Sequence, residues 1–260
     1  MTPGTFRRHA CTLGAILSVA LAPLAAQVTE SPFTVRPGSL RVEMDGLRLA
    51  LDREDGTGAS YQALAVASTF VTAGLAEAVD VQIGADLFLR ERVTYRGARD
   101  SASGLGDLSM RMKWTLWRDA RAGAALAVMP YVKLPSGSGA VGSDAVEGGV
   151  LVPWAAGLPG GIVSGAMFRW DVLRNDAEDG YDSRWLATGY LQRNLTRALA
   201  LYGEATLQAS STGASDTAGT IGAGALVQVT RRLQLDYELQ RGVNRRASAW
   251  THVLRVNWDW

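Results

Sequence analysis

Apolar and polar residues alternate with a period of two over long stretches of this chain. LQLDYELQ (233–240) is the clearest case: Leu233, Leu235, Tyr237 and Leu239 share one side, and Gln234, Asp236, Glu238 and Gln240 the other. A helix would scatter those charges around its circumference, whereas a strand gathers them on one face. VDVQIGADLFLR (79–90) repeats the pattern, with Asp86 and Arg90 in the polar phase. LSMRMKWTL (108–116) sets Arg111 and Lys113 opposite Met110, Met112 and Trp114, and LALYGEATLQA (199–209) sets Tyr202 and Glu204 opposite Leu201 and Leu207. SLRVEMDGLRLALD (39–52) alternates but slips phase at Gly46, where a β-bulge is expected.

About twelve such segments are legible, each near the ~9–11 residues that a tilted strand needs to cross a bilayer. The connections between them alternate in length. Short ones fall at LAEA (75–78), DARA (119–122), GLPG (157–160), NLTRA (194–198) and TRR (230–232). Long ones fall at 52–60, 97–105 (GARDSASGL), 135–148, 174–184, 211–219 (STGASDTAG) and 242–249. Tight turns on one rim and long loops on the other describe an all-β, antiparallel, up-and-down transmembrane barrel of about twelve strands.

Periodicity alone does not say which face is inside. A soluble β-protein turns its apolar face inward, and a membrane barrel inverts that order. The strand lengths, tryptophans near the strand ends (Trp117, Trp154, Trp170, Trp185, Trp250, Trp258 and Trp260) and the mixed polar faces favour the membrane arrangement. The inward phase then includes Asp86, Arg90, Arg111, Lys113, Tyr131, Lys133, Arg169, Tyr202, Glu204, Asp236, Glu238 and Arg255. Charges of both signs facing one lumen are expected to pair. Arg111, Lys113, Lys133 and Tyr131 are also candidates to hold a small anionic or aromatic solute. A barrel of this size lies between the filled and the openly aqueous ones, so a narrow pore and a nearly plugged scaffold both remain open.

The N-terminus sets the compartment. FRRH (6–9) followed by ACTLGAILSVALAPLAA (10–26) reads as a cleaved secretory leader over residues 1–26, leaving a barrel over 27–260. Its removal takes away Cys11, His9, Arg7 and Arg8. The remainder carries 24 Lys+Arg (26 minus 2) against 25 Asp+Glu, and no disulfide. The near-balance of charge gives no footprint for nucleic acid.

The last ten residues, THVLRVNWDW (251–260), alternate to the final position, so this strand is expected to close the barrel against the first, near SLRVEMDG. Trp258 and Trp260 resemble the C-terminal aromatic signal read by the outer-membrane barrel assembly machinery. The expected surroundings are outer-membrane lipid and lipopolysaccharide of a Gram-negative bacterium, with a small-molecule solute as cargo.

No catalytic constellation stands out. His252 falls in the lipid-facing phase with no nucleophile beside it, and one His without Cys makes no zinc site. The Gly-x-Gly of GLGDL lacks the helix that a phosphate cradle requires. The acidic stretches DREDG (52–56) and NDAEDGYD (175–182) lack calcium-loop spacing. No metal and no cofactor are expected.

Two stretches carry a family resemblance. GLGDLSMRMKW (104–114) and PYVKLPSGSG (130–139) resemble motifs of the meta-pathway phenol-degradation (MetA-pathway) outer-membrane transporter family. The resemblance implies a channel of about twelve strands, with small aromatic or hydrophobic compounds as its solutes. A structural or adhesive envelope barrel with a blocked lumen and a periplasmic lipocalin-like carrier are the other readings.

Overall fold

The computed structural model describes residues 28–52, 59–175, 179–211 and 213–260. The expected leader and most of DREDG lie outside these residues. The chain forms β1 (Leu40–Leu51), β2 (Ala59–Ala76), β3 (Val79–Tyr95), β4 (Ala98–Gly104), β5 (Leu108–Asp119), β6 (Ala124–Leu134) and β7 (Glu147–Leu158). It continues with β8 (Ile162–Arg174), β9 (Tyr181–Asn194), β10 (Leu199–Ser210), β11 (Gly213–Gln228), β12 (Leu233–Gly242) and β13 (Trp250–Asp259). Every pairing is antiparallel between neighbours, and no helix occurs among the described residues.

Thirteen strands fill twelve places in the wall. The first half of β3 pairs with β5 (Val79↔Trp114 to Ala85↔Leu108), and its second half pairs with β4 (Leu89↔Gly104 to Tyr95↔Ala98). β4 and β5 therefore share one position, interrupted at Leu105–Asp107. The ring closes where β13 pairs with β1, from Arg41↔Asp259 to Leu51↔Trp250. The barrel is a closed antiparallel one of twelve strand positions, as the alternation predicts. Closure leaves no edge in hydrocarbon, where an unpaired N–H or C=O costs several kcal/mol.

Burial inverts the order of a soluble sheet. In β5, Arg111, Lys113 and Thr115 are buried, while Met110, Met112, Trp114 and Leu116 are exposed. A band that also includes Ile83, Phe168, Leu201, Leu207, Ile221 and Leu254 faces outward. A soluble monomer rarely shows more than a few hundred Å² of contiguous apolar surface. In a bilayer the same band is the favourable contact.

Two segments expected as loops are strands. GARDSASGL (97–105) is mostly β4, folded back on β3 through Arg96 (φ 47°) and Gly97 (φ 81°). Two successive positive φ values make the tight hairpin turn whose twist matches its strands. STGASDTAG (211–219) is largely the start of β11. Beyond the membrane water satisfies any open edge, so small polar residues extend a hairpin there as readily as they form a loop.

The slip at Gly46 is present: the register of β1 against β13 shifts between Asp45 and Leu47. It continues into the neighbouring strands. Asp45 pairs with Ser68 and Leu47 with Val66, placing Gly46 beside Ala67, whose φ is 55°. Val66 in turn pairs with Phe88 and Ser68 with Asp86, placing Ala67 beside Leu87. Below this line the even residues of β2 and β3 point inward, among them Thr72 and Gln82. Above it the buried residues are Tyr61, Ala65 and Leu89.

Candidate functional site

The lumen is lined by the polar phase of the strands. Its core is Arg255 of β13, whose Nε donates to Asp45 Oδ1 (3.1 Å) and Nη2 to Glu238 Oε2 (3.0 Å), with Nη1 on Asp236. Asp45 and Asp236 are the cross-strand neighbours of Arg255 on either side, so the sheet register itself builds the row. Tyr202 on β10 donates to Asp236 Oδ1 (2.9 Å), and Gln240 Nε2 to Glu238 Oε1 (2.9 Å). Gly224 leaves room for Tyr202: a Cβ there would lie 2.3 Å from its ring. All three carboxylates and the guanidinium are buried, and a buried charge stripped of its partner costs about 3–5 kcal/mol.

A second group sits on β6 and β8. Arg169 Nε donates to Asp171 Oδ1 (2.6 Å), Tyr131 OH donates to the same oxygen (2.5 Å), and Arg169 Nη2 donates to Tyr131 OH (2.9 Å). The fork of Arg169 and its carboxylate thus fix the tyrosine ring in the lumen.

Residues 28–38 occupy what remains of the lower lumen. They make no strand ladder; side chains of the wall hold residues 29–35, and Gly38 N donates to Gly74 O (3.0 Å). Glu204 Oε1 accepts from Thr29 N (2.9 Å) and Thr29 Oγ1 (2.5 Å). Arg111 Nη1 donates to Glu30 Oε1 (2.7 Å), with its guanidinium 3.9 Å over the Phe70 ring. Lys113 Nζ donates to Phe33 O (3.3 Å), Thr115 Oγ1 to Pro32 O (2.8 Å), and Val35 N to Asp80 Oδ2 (3.0 Å). The segment leaves past Gly74, where a Cβ would lie 2.0 Å from Arg36 O, so only glycine permits the crossing. Polar residues read as wall lining are thus clamps on a peptide of the same chain.

At the other end Lys133 Nζ pairs with Glu147 (2.6 Å) and lies 3.6 Å from Asp107. Asp107 gathers the 135–146 connection: its Oδ1 accepts from Gly137 N (2.8 Å) and its Oδ2 from Ser143 N (2.7 Å) and Oγ (2.8 Å). Leu105 N donates to Ser138 Oγ (3.0 Å). Burial alone would raise the Asp107 carboxyl, but the Ser143 and Gly137 donors and Lys133 outweigh it and hold it below its ordinary range. The two stretches that carry the family resemblance are therefore one structure, a loop tied across the break between β4 and β5.

Of the residues expected in the lumen, Arg111, Lys113, Arg169, Tyr202, Glu204, Asp236, Glu238 and Arg255 are buried inside the ring, and Tyr131 and Lys133 join them half-buried. Asp86 faces the same interior, against Gly106. Arg90 is a correction. A Cβ on Gly106 would touch both Asp86 and Leu89, so those two share a face although three residues apart. The slip at Leu87 lies between them, and it turns Arg90 to the exposed outer surface. Asp45, Asp107, Glu147, Thr29 and Glu30 were missed. Asp45 shares the parity of Arg41 and Glu43 and was legible, whereas nothing in the pattern of 28–38 marks it as a lumen segment. His252 lies on the outer face, its Nδ1 2.9 Å from Tyr237 OH. Trp258 and Trp260 stand exposed beside the closing seam. No group of three or more metal-ligating side chains occurs among the described residues.

Known proteins agree with this architecture. The COG4313 outer membrane channel from Pseudomonas putida F1 is similar in structure, with a TM-score of 0.67 at 12% identity over 91% of this chain and 100% of that one. The translocator domain of the autotransporter NalP from Neisseria meningitidis gives 0.53 at 15% identity, over 99% and 97%. The KdgM porin gives 0.50 at 9% identity, over 84% and 98%. At such identities the likeness is one of fold. The curated proteins contain no match to the sequence. Residues 25–260 match the family described as "Putative MetA-pathway of phenol degradation", and the chain belongs to that family.

Proposed function

We propose that the protein is a channel of the Gram-negative outer membrane for passive uptake of small solutes, with aromatic or hydrophobic compounds as the class. The observation that carries the reading is a closed wall whose lower lumen is filled by an extended segment, residues 29–35 of which are held through side-chain contacts rather than a strand ladder. Such a segment is displaced by breaking a handful of polar contacts, whereas a strand would have to be torn from its ladder. The family description and the channel from Pseudomonas putida F1 support it. Arg111, Lys113, Tyr131, Lys133 and Arg169 line the route that displacement opens.

Three further assignments belong to this reading. Residues 1–26 are a leader removed on export, Trp258 and Trp260 are the address recognised by the barrel assembly machinery, and the upper rim meets lipopolysaccharide.

The same contacts favour a second reading, a structural barrel whose lumen stays closed. Single-channel recording in planar bilayers together with liposome swelling separates the two. Uptake requires conductance or solute flux from the folded protein, larger in a variant lacking residues 28–36. Silence of both the native protein and that variant supports the scaffold.

A further inference from the structure

At the rim that carries the short turns, a cavity of about 410 Å³ opens between the start of β1, the β11–β12 turn and the end of β13. Its lining includes Arg36, Arg41, Arg231 and Arg232, with Asp259 as the one acidic side chain. Arg41 is already committed to Asp259 (2.6 Å). Among the described residues no carboxylate pairs with the other three arginines. Four arginines thus line a cavity that has one acidic side chain.

Clustered like charges repel, and such an arrangement is stable when an anion sits among them. Arginines brought to one cavity from separate elements can each offer two parallel N–H···O bonds to the oxygens of a phosphate. The surroundings choose the source of that phosphate. Trp260 and Trp258 are 76% and 42% exposed beside the cavity, and Leu40 is 44% exposed. Indole rings over an apolar rim mark the depth of lipid headgroups, so a phosphate held here has acyl chains directed at the apolar wall.

We propose that this cavity binds the phosphate of an anionic phospholipid of the periplasmic leaflet. Arg36 belongs to the segment that enters the lumen, and Arg231 and Arg232 to the wall. A phosphate between them fastens the exit of that segment to the barrel. The proposal requires membrane placement but not transport, so it stands or falls independently of solute flux.

The test is native mass spectrometry of the detergent-purified full chain with added phosphatidylglycerol, phosphatidylcholine or inorganic phosphate. It compares the native protein with Arg231→Gln/Arg232→Gln and with Arg36→Gln. Residues 231 and 232 are exposed turn positions, and heat-modifiable gel mobility checks that each variant is folded. Retention of phosphatidylglycerol over phosphatidylcholine, reduced at least about tenfold in the double variant and partly in Arg36→Gln, is the expected result. Inorganic phosphate binding with the same dependence on the arginines, and no lipid preference, keeps the phosphate site but overturns the lipid source. Equal retention of every probe by native protein and folded variants overturns the site.

Discussion

Arg255 and Asp45 are 210 residues apart and meet at 3.1 Å across the seam where the last strand closes on the first. The backbone ladder of β1 and β13 could form in several registers. Only one places this guanidinium between Asp45 on one side and Asp236 and Glu238 on the other. A register slipped by one residue would turn Arg255 into lipid, at a cost of ~2–4 kcal/mol near the midplane. The ion cluster thus acts as a register pin as well as lumen lining.

Replacing Arg255 with Met should therefore cost more than replacing any one acid. It leaves the buried Asp236 and Glu238 without their cation and Asp45 with only the more distant Arg48 (3.9 Å), a loss of about 3–5 kcal/mol. Urea titration of the refolded protein in lipid vesicles, followed by tryptophan fluorescence, should show the midpoint fall. Asp45→Asn retains an acceptor for Nε and should fall less.

Loosening the lumen segment should raise conductance. Glu30→Gln removes the charge paired with Arg111, and Thr29→Val removes the hydroxyl on Glu204. The double variant should show more frequent open events in planar bilayers than the native protein, with unchanged heat-modifiable mobility.

Charge reversal separates the inner phase from the outer one. Lys113→Glu, inside the ring, should shift the reversal potential in a salt gradient toward cation preference. Arg90→Glu should leave it unchanged, because the slip at Leu87 has moved that residue outside. Equal effects from both would contradict the assignment of faces.

The Asp107 clasp has a definite pH signature. Its carboxyl is held below the ordinary range, so the clasp's contribution is fully present above the unfolded value of ~3.9 and is lost only as pH falls through the lower folded one. Protection of the Gly137 and Ser143 amides from hydrogen exchange should be flat from neutral pH down through that range. Asp107→Asn should remove the protection of one of the two amides at every pH, since the neutral amide offers one acceptor where the carboxylate offered two.

The wall was legible in the sequence because a period of two is a local property. Met110, Arg111, Met112 and Lys113 declare their faces without reference to any distant residue. Residues 28–38 were not legible, since a segment without ladder or alternation is placed only by what surrounds it: Glu204, Arg111 and Asp80 come from three separate strands. Arg90 failed for an intermediate reason. Its own strand interrupts the alternation only by the apolar run Leu87-Phe88-Leu89, where the reversal that passes through Gly46 and Ala67 on the neighbouring strands reaches it. Likewise the break at Leu105–Asp107 reads as an ordinary glycine turn until the 135–146 connection is laid over it.

That line of slips through Gly46, Ala67 and Leu87 changes which half of an alternating sequence the interior meets. Beneath it, three strands turn acids, threonines and glutamine inward. Above it, the same strands turn in Tyr61, Ala65 and Leu89, with Arg48 beside Ala65 and Glu91 on Tyr61. One residue of offset on each strand thus gives a single wall two linings without interrupting the ladder that closes it.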